Sequence, residues 1–113
     1  MHEFSIMQEV AEMAVTRAEE AGADKIHLIR LRVGKLSGVV PEAMKFVHEV
    51  AVDGTIAEGS KLEIEDGPIV CYCDTCEAEF ESGNALFLCP KCETVSHEVR
   101  SGRELELINM EIS

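Results

Sequence analysis

Cys73-Asp74-Thr75-Cys76, followed after twelve residues by Cys89-Pro90-Lys91-Cys92, forms two CxxC knuckles joined by a hairpin-length connector. Four thiolates suit a tetrahedral zinc ion, which has no geometric preference of its own and accepts the closed shell that two knuckles present. A redox dithiol needs only one such pair, ordinarily at the start of a helix in a βαβ setting that is absent here. An iron–sulfur cluster also takes four cysteines, but the paired knuckle spacing favours a single ion. A closed four-cysteine shell leaves no position open to a substrate, so the expected zinc holds its segment together and does not catalyse. Cys71, two residues ahead of the first knuckle, is a fifth thiol. It reads as a small packing residue, with an alternate zinc partner as the other reading.

Outward from the knuckles, residues 69 to 97 contain all five cysteines and only short β-like pieces at Phe80 and Leu86-Phe87-Leu88. That is too little apolar material for an independent core. On the amino-terminal side, Ile6, Val10, Met13, Ala14, Ala18 and Ala21 recur three or four apart, which predicts a helix capped by Ser5 and ended by Gly22. Lys25 to Lys35 alternates over Ile29, Leu31 and Val33 against Arg30 and Arg32, as a half-buried strand does. Pro41 opens a second helix whose expected apolar face is Ala43, Phe46, Val47, Val50 and Ala51, stopped at Asp53-Gly54. Met7 and Met44 are offered either to the core or to a partner surface. Lys61 to Glu65 alternates as a short strand. On the carboxyl-terminal side, Leu105 and Leu107 share one parity and Ile108, Met110 and Ile112 the other, which predicts a bulge near Leu107-Ile108. The expected fold is α+β: two helices packed on a three-stranded sheet, with a zinc-ribbon-like module inserted before the last strand. The expected units are 1–68 with 98–113, discontinuous, and 69–97.

The chain has 113 residues, with 22 acidic against 10 basic side chains and a formal charge of −12, which suits one modest domain with a small insertion. That charge has the wrong sign for gripping a phosphate backbone or anionic lipid, so neither nucleic acid nor a membrane is an expected partner. No window approaches the roughly 20 apolar residues that span a bilayer. The start, Met1-His2-Glu3-Phe4-Ser5, lacks the basic region of a secretory signal. The expected location is the cytoplasm, where clustered cysteines are metal ligands more often than disulfides.

Met1-His2-Glu3 carries chemistry of its own. The bulk of His2 disfavours removal of Met1, so an amine would stand next to an imidazole. The His2 backbone nitrogen closes a five-membered chelate ring with that amine and a six-membered one with imidazole Nδ1. Alternatively, the backbone nitrogens of His2 and Glu3 join the imidazole and leave a fourth corner for a distant group such as His97. Planar nitrogen coordination is characteristic of Ni²⁺ or Cu²⁺. The alternative is an ordinary chain end with a histidine there by accident, and surface or hydrogen-bonded roles for His27, His48 and His97.

Taken together, Met1-His2-Glu3 with Ser5-Ile6, the run Arg30-Leu31-Arg32-Val33-Gly34-Lys35-Leu36-Ser37-Gly38-Val39-Val40-Pro41-Glu42, the two knuckles, and Gly102-Arg103-Glu104-Leu105 resemble the HypA family of hydrogenase-maturation nickel metallochaperones. The resemblance implies a nickel-binding α/β domain with an inserted zinc domain. It implies Ni²⁺ at His2 and Glu3 with backbone nitrogens, and structural Zn²⁺ at Cys73, Cys76, Cys89 and Cys92. It also implies a non-enzymatic carrier that passes nickel toward the large subunit of [NiFe]-hydrogenase with a HypB-like partner GTPase; some relatives also serve urease maturation. Cys71-Tyr72-Cys73 departs from that pattern. Because the ligands must be deprotonated, nickel affinity is expected to fall toward acidic pH. The acidic surface reads mostly as a solvated face that also steers cations or a basic partner patch toward the chain end. A zinc-ribbon adaptor without a nickel role is the second reading. Lys91 is the only basic residue between 69 and 97, which leaves protein and not nucleic acid as such an adaptor's partner. A zinc hydrolase would need an open ligand position and a general base, and neither is visible.

Overall fold

In the computed structural model, which describes residues 2–83 and 86–113, the alternating segment around Leu31 becomes the central strand of a three-stranded sheet. The elements in chain order are α1 (His2–Glu20), β1 (Ile26–Gly34), α2 (Pro41–Ala51), β2 (Lys61–Gly67), β3 (Ile69–Cys73), β4 (Ala78–Ser82), β5 (Glu98–Ser101) and β6 (Leu105–Ile112). The first sheet has the order β2-β1-β6. β1 and β2 run parallel, so the chain must cross over between them, and α2 supplies the crossover. β6 returns antiparallel to β1. Its register jumps between the pairs Arg30–Asn109 and Leu31–Leu107, which leaves Ile108 as the extra residue of the expected bulge.

Both helices pack on one face of this sheet. Met7, Val10, Ala11, Ala14 and Ala18 of α1 and Met44 and Val47 of α2 meet Ile29, Leu31 and Val33 of β1. Met7 and Met44 are completely buried, so neither offers a partner surface. The other face of the sheet is a ladder of ion pairs: Arg30 reaches Glu63 (3.0 Å) and Glu111 (3.1 Å), and Arg32 reaches Glu65 (2.6 Å).

Two expectations are corrected. α1 begins at His2, three residues before the expected Ser5 cap. Phe4 and Ile6 pack against the core and extend the apolar face toward the chain start, and Glu3 places an acid in the positive first turn. On α2, Phe46 and Val50 point away from the core, with 82% and 66% of their surfaces exposed. Val47 is buried as expected, and the helix turns Met44 and His48 inward beside it.

The cysteine-bearing segment is a second three-stranded sheet, order β4-β3-β5, antiparallel throughout. It takes in Glu98–Ser101, beyond the 69–97 stretch, because β5 pairs with β3. The chain passes between the sheets at a knot of glycines. A Cβ on Gly34 would sit on the Gly102 carbonyl, and one on Gly67 would collide with the Glu104 carboxylate. The Gly102 N–H donates to Glu104 Oε2 (3.0 Å), the Leu36 N–H to the Gly102 carbonyl (2.7 Å), and the Lys35 N–H to the Gly67 carbonyl (3.0 Å).

Candidate metal centres

The alternation of β3 turns Ile69, Cys71 and Cys73 to the buried side of the second sheet, and the first knuckle follows directly at its end. Cys76 N–H donates to Cys73 Sγ (3.4 Å), which is the bond that folds a CxxC into a knuckle. The second knuckle is closed by Glu93 N–H to the Cys89 carbonyl (2.9 Å) and by Cys89 N–H to the Thr94 carbonyl (3.0 Å). Glu93 takes a positive φ of 59° to make that turn, as Glu77 does (52°) after the first knuckle.

The two knuckles face each other, and the four sulfurs lie within 4.8 Å of one another. Cys73 Sγ is 3.5 Å from Cys92 Sγ, and Cys76 Sγ is 3.9 Å from Cys89 Sγ. A tetrahedron with zinc–sulfur bonds of about 2.3 Å has edges of roughly 3.8 Å, so the sulfurs already stand at the spacing of a zinc shell.

The electrostatics agree with that spacing. Cys92 is drawn down to about 6, first by the Thr94 hydroxyl and then by the Thr94 N–H. Cys89 is lowered by the N–H groups of Cys92 and Lys91. Cys76 is pushed up to about 12 by sharing its site with Cys92 and Cys73, and by desolvation. For Cys73 the largest influence, the Cys76 N–H, pulls downward, but burial and the neighbouring Cys92 and Cys89 sulfurs outweigh it and raise the thiol. The cluster thus holds charge readily on one knuckle and resists it on the other; four thiolates together require a cation between them.

Cys71 is fully buried and stands outside this group. Its thiol is pushed up by desolvation, against smaller pulls from Ser96 and Arg103. The sequence reading missed the support around the centre. Ser96 Oγ lies 2.6 Å from the Tyr72 carbonyl and 3.0 Å from that of Glu98, so it ties the strand after the second knuckle to β3. A buried serine in such a short segment has no sequence signal, whereas a threonine two residues beyond a cysteine is one that could have been read.

At the chain start, His2 and Glu3 occupy the first turn of α1, and Met1 lies outside the described residues. The His2 side chain is 61% exposed and that of Glu3 20%, with His2 Nδ1 3.8 Å from Glu3 Oε2. Glu3 Oε2 also accepts the Val40 N–H (3.4 Å), which ties the start of α1 to the start of α2. His97 is exposed just ahead of β5 and does not converge with His2 and Glu3: among the described residues the four cysteines are the one group of three or more His, Cys, Asp or Glu side chains whose ligand atoms gather. His27 bonds Ser113 Oγ (2.7 Å), and His48 is buried against Ser60 Oγ (3.0 Å).

A family described as "Hydrogenase/urease nickel incorporation, metallochaperone, hypA" matches residues 1–112. The chain belongs to the HypA family. A HypA hydrogenase maturation factor of Picosynechococcus is 41% identical over 99% of both chains, and one of Chloroflexus aurantiacus is 42% identical over 98% of both. The fold is also that of solved HypA proteins. A solution structure of HypA matches with a TM-score of 0.73 at 21% identity, covering 100% of this chain and 97% of the other. That of the nickel metallochaperone HypA from Helicobacter pylori matches with 0.69 at 20% identity, covering 97% and 96%. HypA proteins are nickel-incorporation metallochaperones of hydrogenase maturation, and the family match runs over residues 1–112 of this chain. No helix among the described residues is long and apolar enough to cross a membrane.

Proposed function

We propose that the chain carries Ni²⁺ as cargo at His2 and Glu3 and hands it on for assembly of the [NiFe]-hydrogenase large subunit, together with a partner GTPase, while a Zn²⁺ held by Cys73, Cys76, Cys89 and Cys92 has a purely structural role. The observation that carries the nickel reading is the placement of His2 and Glu3 in the first helical turn, with the His2 side chain largely exposed and that of Glu3 half-buried. The first four N–H groups of a helix have no partner within it, so the His2 and Glu3 amides can lose their protons to a metal without opening a helical hydrogen bond. The His2 imidazole stands beside them in water. The positive end of the helix opposes a cation until those amide protons have left, which keeps the affinity moderate. Protonation then reverses capture, so affinity is expected to fall from slightly basic to slightly acidic pH.

The zinc supplies only a cross-link in this reading. Nothing in the four-sulfur shell leaves a position for substrate, and the carrier performs no catalysis. The two sheets correspond to a nickel-carrying unit built from both ends of the chain and an inserted zinc unit, working in the cytoplasm.

The test is metal analysis of three untagged proteins: the natural chain, one with a residue added before Met1, and His2→Ala. Nickel is expected to drop to near zero in both variants while one zinc per chain persists. Full nickel capture by the extended chain would overturn the terminal site.

A further inference from the structure

The short sulfur contacts run across the knuckles. Cys73 Sγ lies 3.5 Å from Cys92 Sγ and Cys76 Sγ 3.9 Å from Cys89 Sγ, so each pair joins a buried cysteine to a half-buried one. Beside the second pair the fold leaves a cavity walled by Cys76, Ala78, Phe80, Cys89 and Pro90, with about 40 Å³ of room for the centres of water-sized molecules. One water needs roughly 10–15 Å³ of such room, so a molecule of two linked oxygen atoms fits where a peptide-sized oxidant does not. The sulfurs also differ in what bonds them. Cys73 Sγ accepts the Cys76 N–H (3.4 Å), and Cys92 Sγ stands 3.3 Å from the Thr94 hydroxyl; both donors draw electron density from a thiolate. The short contact of Cys76 Sγ is with another sulfur. Cys76 is thus the better nucleophile with an open approach, and Cys89, only 3% exposed, stands behind it.

From this arrangement we infer that Cys76 and Cys89 form an oxidation site for a small hydroperoxide, at which disulfides running between the knuckles replace the hold on the ion. The inference rests on the structural-zinc reading above. Cys76 Sγ attacks one oxygen of hydrogen peroxide. A sulfur–oxygen bond forms as the oxygen–oxygen bond breaks, and the departing oxygen takes a proton and leaves as water. Cys89 Sγ, 3.9 Å away, then attacks the Cys76 sulfur; the sulfur–sulfur bond forms as the sulfur–oxygen bond breaks, and a second water leaves. The pair gives two electrons and the peroxide takes them. Cys73 and Cys92, 3.5 Å apart, react in the same way with a second peroxide. In sum, four thiolates, two peroxides and four protons become two disulfides and four waters, and Zn²⁺ is set free. Each sulfur has only to close the gap to a bond of about 2.05 Å. Both bridges join the strand end after β3 to the second knuckle, as the ion did, so the unit keeps its connections for reloading after reduction. Cys71 is fully buried and outside the group of four, and it stays a thiol.

The experiment takes the full reduced chain, counts its zinc, and exposes it to hydrogen peroxide or, separately, to glutathione disulfide. Released zinc is followed with a colorimetric chelator, and the disulfides are mapped by mass spectrometry of unreduced peptides. The natural chain is compared with Ala78→Leu, which fills the cavity from an exposed position and leaves every sulfur in place. The expected result is loss of one zinc per chain to peroxide, bridges Cys76–Cys89 and Cys73–Cys92, and Cys71 as the one remaining thiol. Ala78→Leu should start with the same zinc content and release it several-fold more slowly, and glutathione disulfide should act far more slowly than peroxide on the natural chain. A dithiol reductant with added Zn²⁺ should restore the original content. Zinc retained in peroxide, bridges confined within each knuckle, equal release from the two chains, or failure to reload after reduction would overturn the inference. The starting zinc count separates the two readings. A loaded chain that peroxide leaves unchanged rejects the oxidation site and keeps the structural zinc; a chain that carries no zinc yet forms the Cys76–Cys89 bridge rejects the zinc and keeps the oxidation site.

Discussion

The two sheets solve the same problem with different materials. The β2-β1-β6 sheet buries Ile29, Leu31 and Val33 under two helices, and its interior is hydrocarbon. Among the described residues no helix packs over the β4-β3-β5 sheet. Its buried residues are Ile69, Cys71, Cys73, Ser82, Cys89 and Ser96, so sulfur and hydroxyl take the place of leucine and valine. Its remaining ties are polar: Ser96 to the Tyr72 carbonyl, and Arg100 stacked 4.1 Å over the Tyr72 ring while paired with Glu79 and Glu98. Such exposed pairs are screened by water and add little. A region built this way cannot hold itself together by burial, whereas its neighbour can.

The sharpest way to break the comparison is to remove the zinc proposed for the four cysteines. Structural zinc in small modules contributes about 10–16 kcal/mol to folding. Chelation, or Cys92→Ser, is therefore expected to abolish amide-exchange protection across residues 69–101 while β1, β2, β6 and both helices keep theirs. Simultaneous loss of protection in both sheets would show that the cysteine centre also supports the hydrocarbon core. The reciprocal change is Leu31→Ala, which opens a cavity at a completely buried position between the helices and the sheet. It is expected to lower stability in urea by about 2–5 kcal/mol without changing zinc content.

Gly34→Ala addresses the seam between the sheets. The added methyl meets backbone at Gly102 and cannot be absorbed by a side-chain rotation, so a loss of roughly 1–3 kcal/mol is expected. Gly38→Ala, in the same loop but with open space around its Cβ, separates this collision from the effect of a positive φ (80°) alone. The smallest effect belongs to His48. Burial lowers its pKa below 6.5, and nearby Glu49 offsets this only in part. The unfolded chain therefore binds a proton that the folded one refuses. Stability from this residue is complete above about pH 6.5 and is lost as the pH falls toward the folded value. His48→Gln, able to keep a hydrogen bond to Ser60, should flatten that part of the pH profile of thermal unfolding relative to the natural chain.

What could be read from the sequence follows the same division. β1, the bulge at Ile108 and the start of α2 at Pro41 are set by parity and local sterics, which act residue by residue and leave a written trace. The knuckles are legible because a metal dictates ligand spacing more strictly than a core dictates side-chain identity. The outward turn of Phe46 and Val50 is not legible, since apolar residues at 43, 46, 47, 50 and 51 spread over an arc of about 140° of α2 and do not say which edge meets the sheet. The early start of α1 depends on Phe4 and Ile6 packing against partners distant in sequence, and the tie from Val40 to Glu3 spans 37 residues. Strands β3 and β5 escape because Ile69-Val70-Cys71-Tyr72-Cys73 serves ligation and pairing together, and Glu98–Ser101 is only four residues long.

The crossing at Gly34, Gly67 and Gly102 has a wider consequence. The polypeptide leaves the first sheet and re-enters it at neighbouring points, clasped by one carboxylate, so everything from Pro68 to Ser101 hangs from a single socket. Evolution could lengthen, trim or exchange that appendage without redrawing the body from which it projects, and a protein engineer could splice there for the same reason.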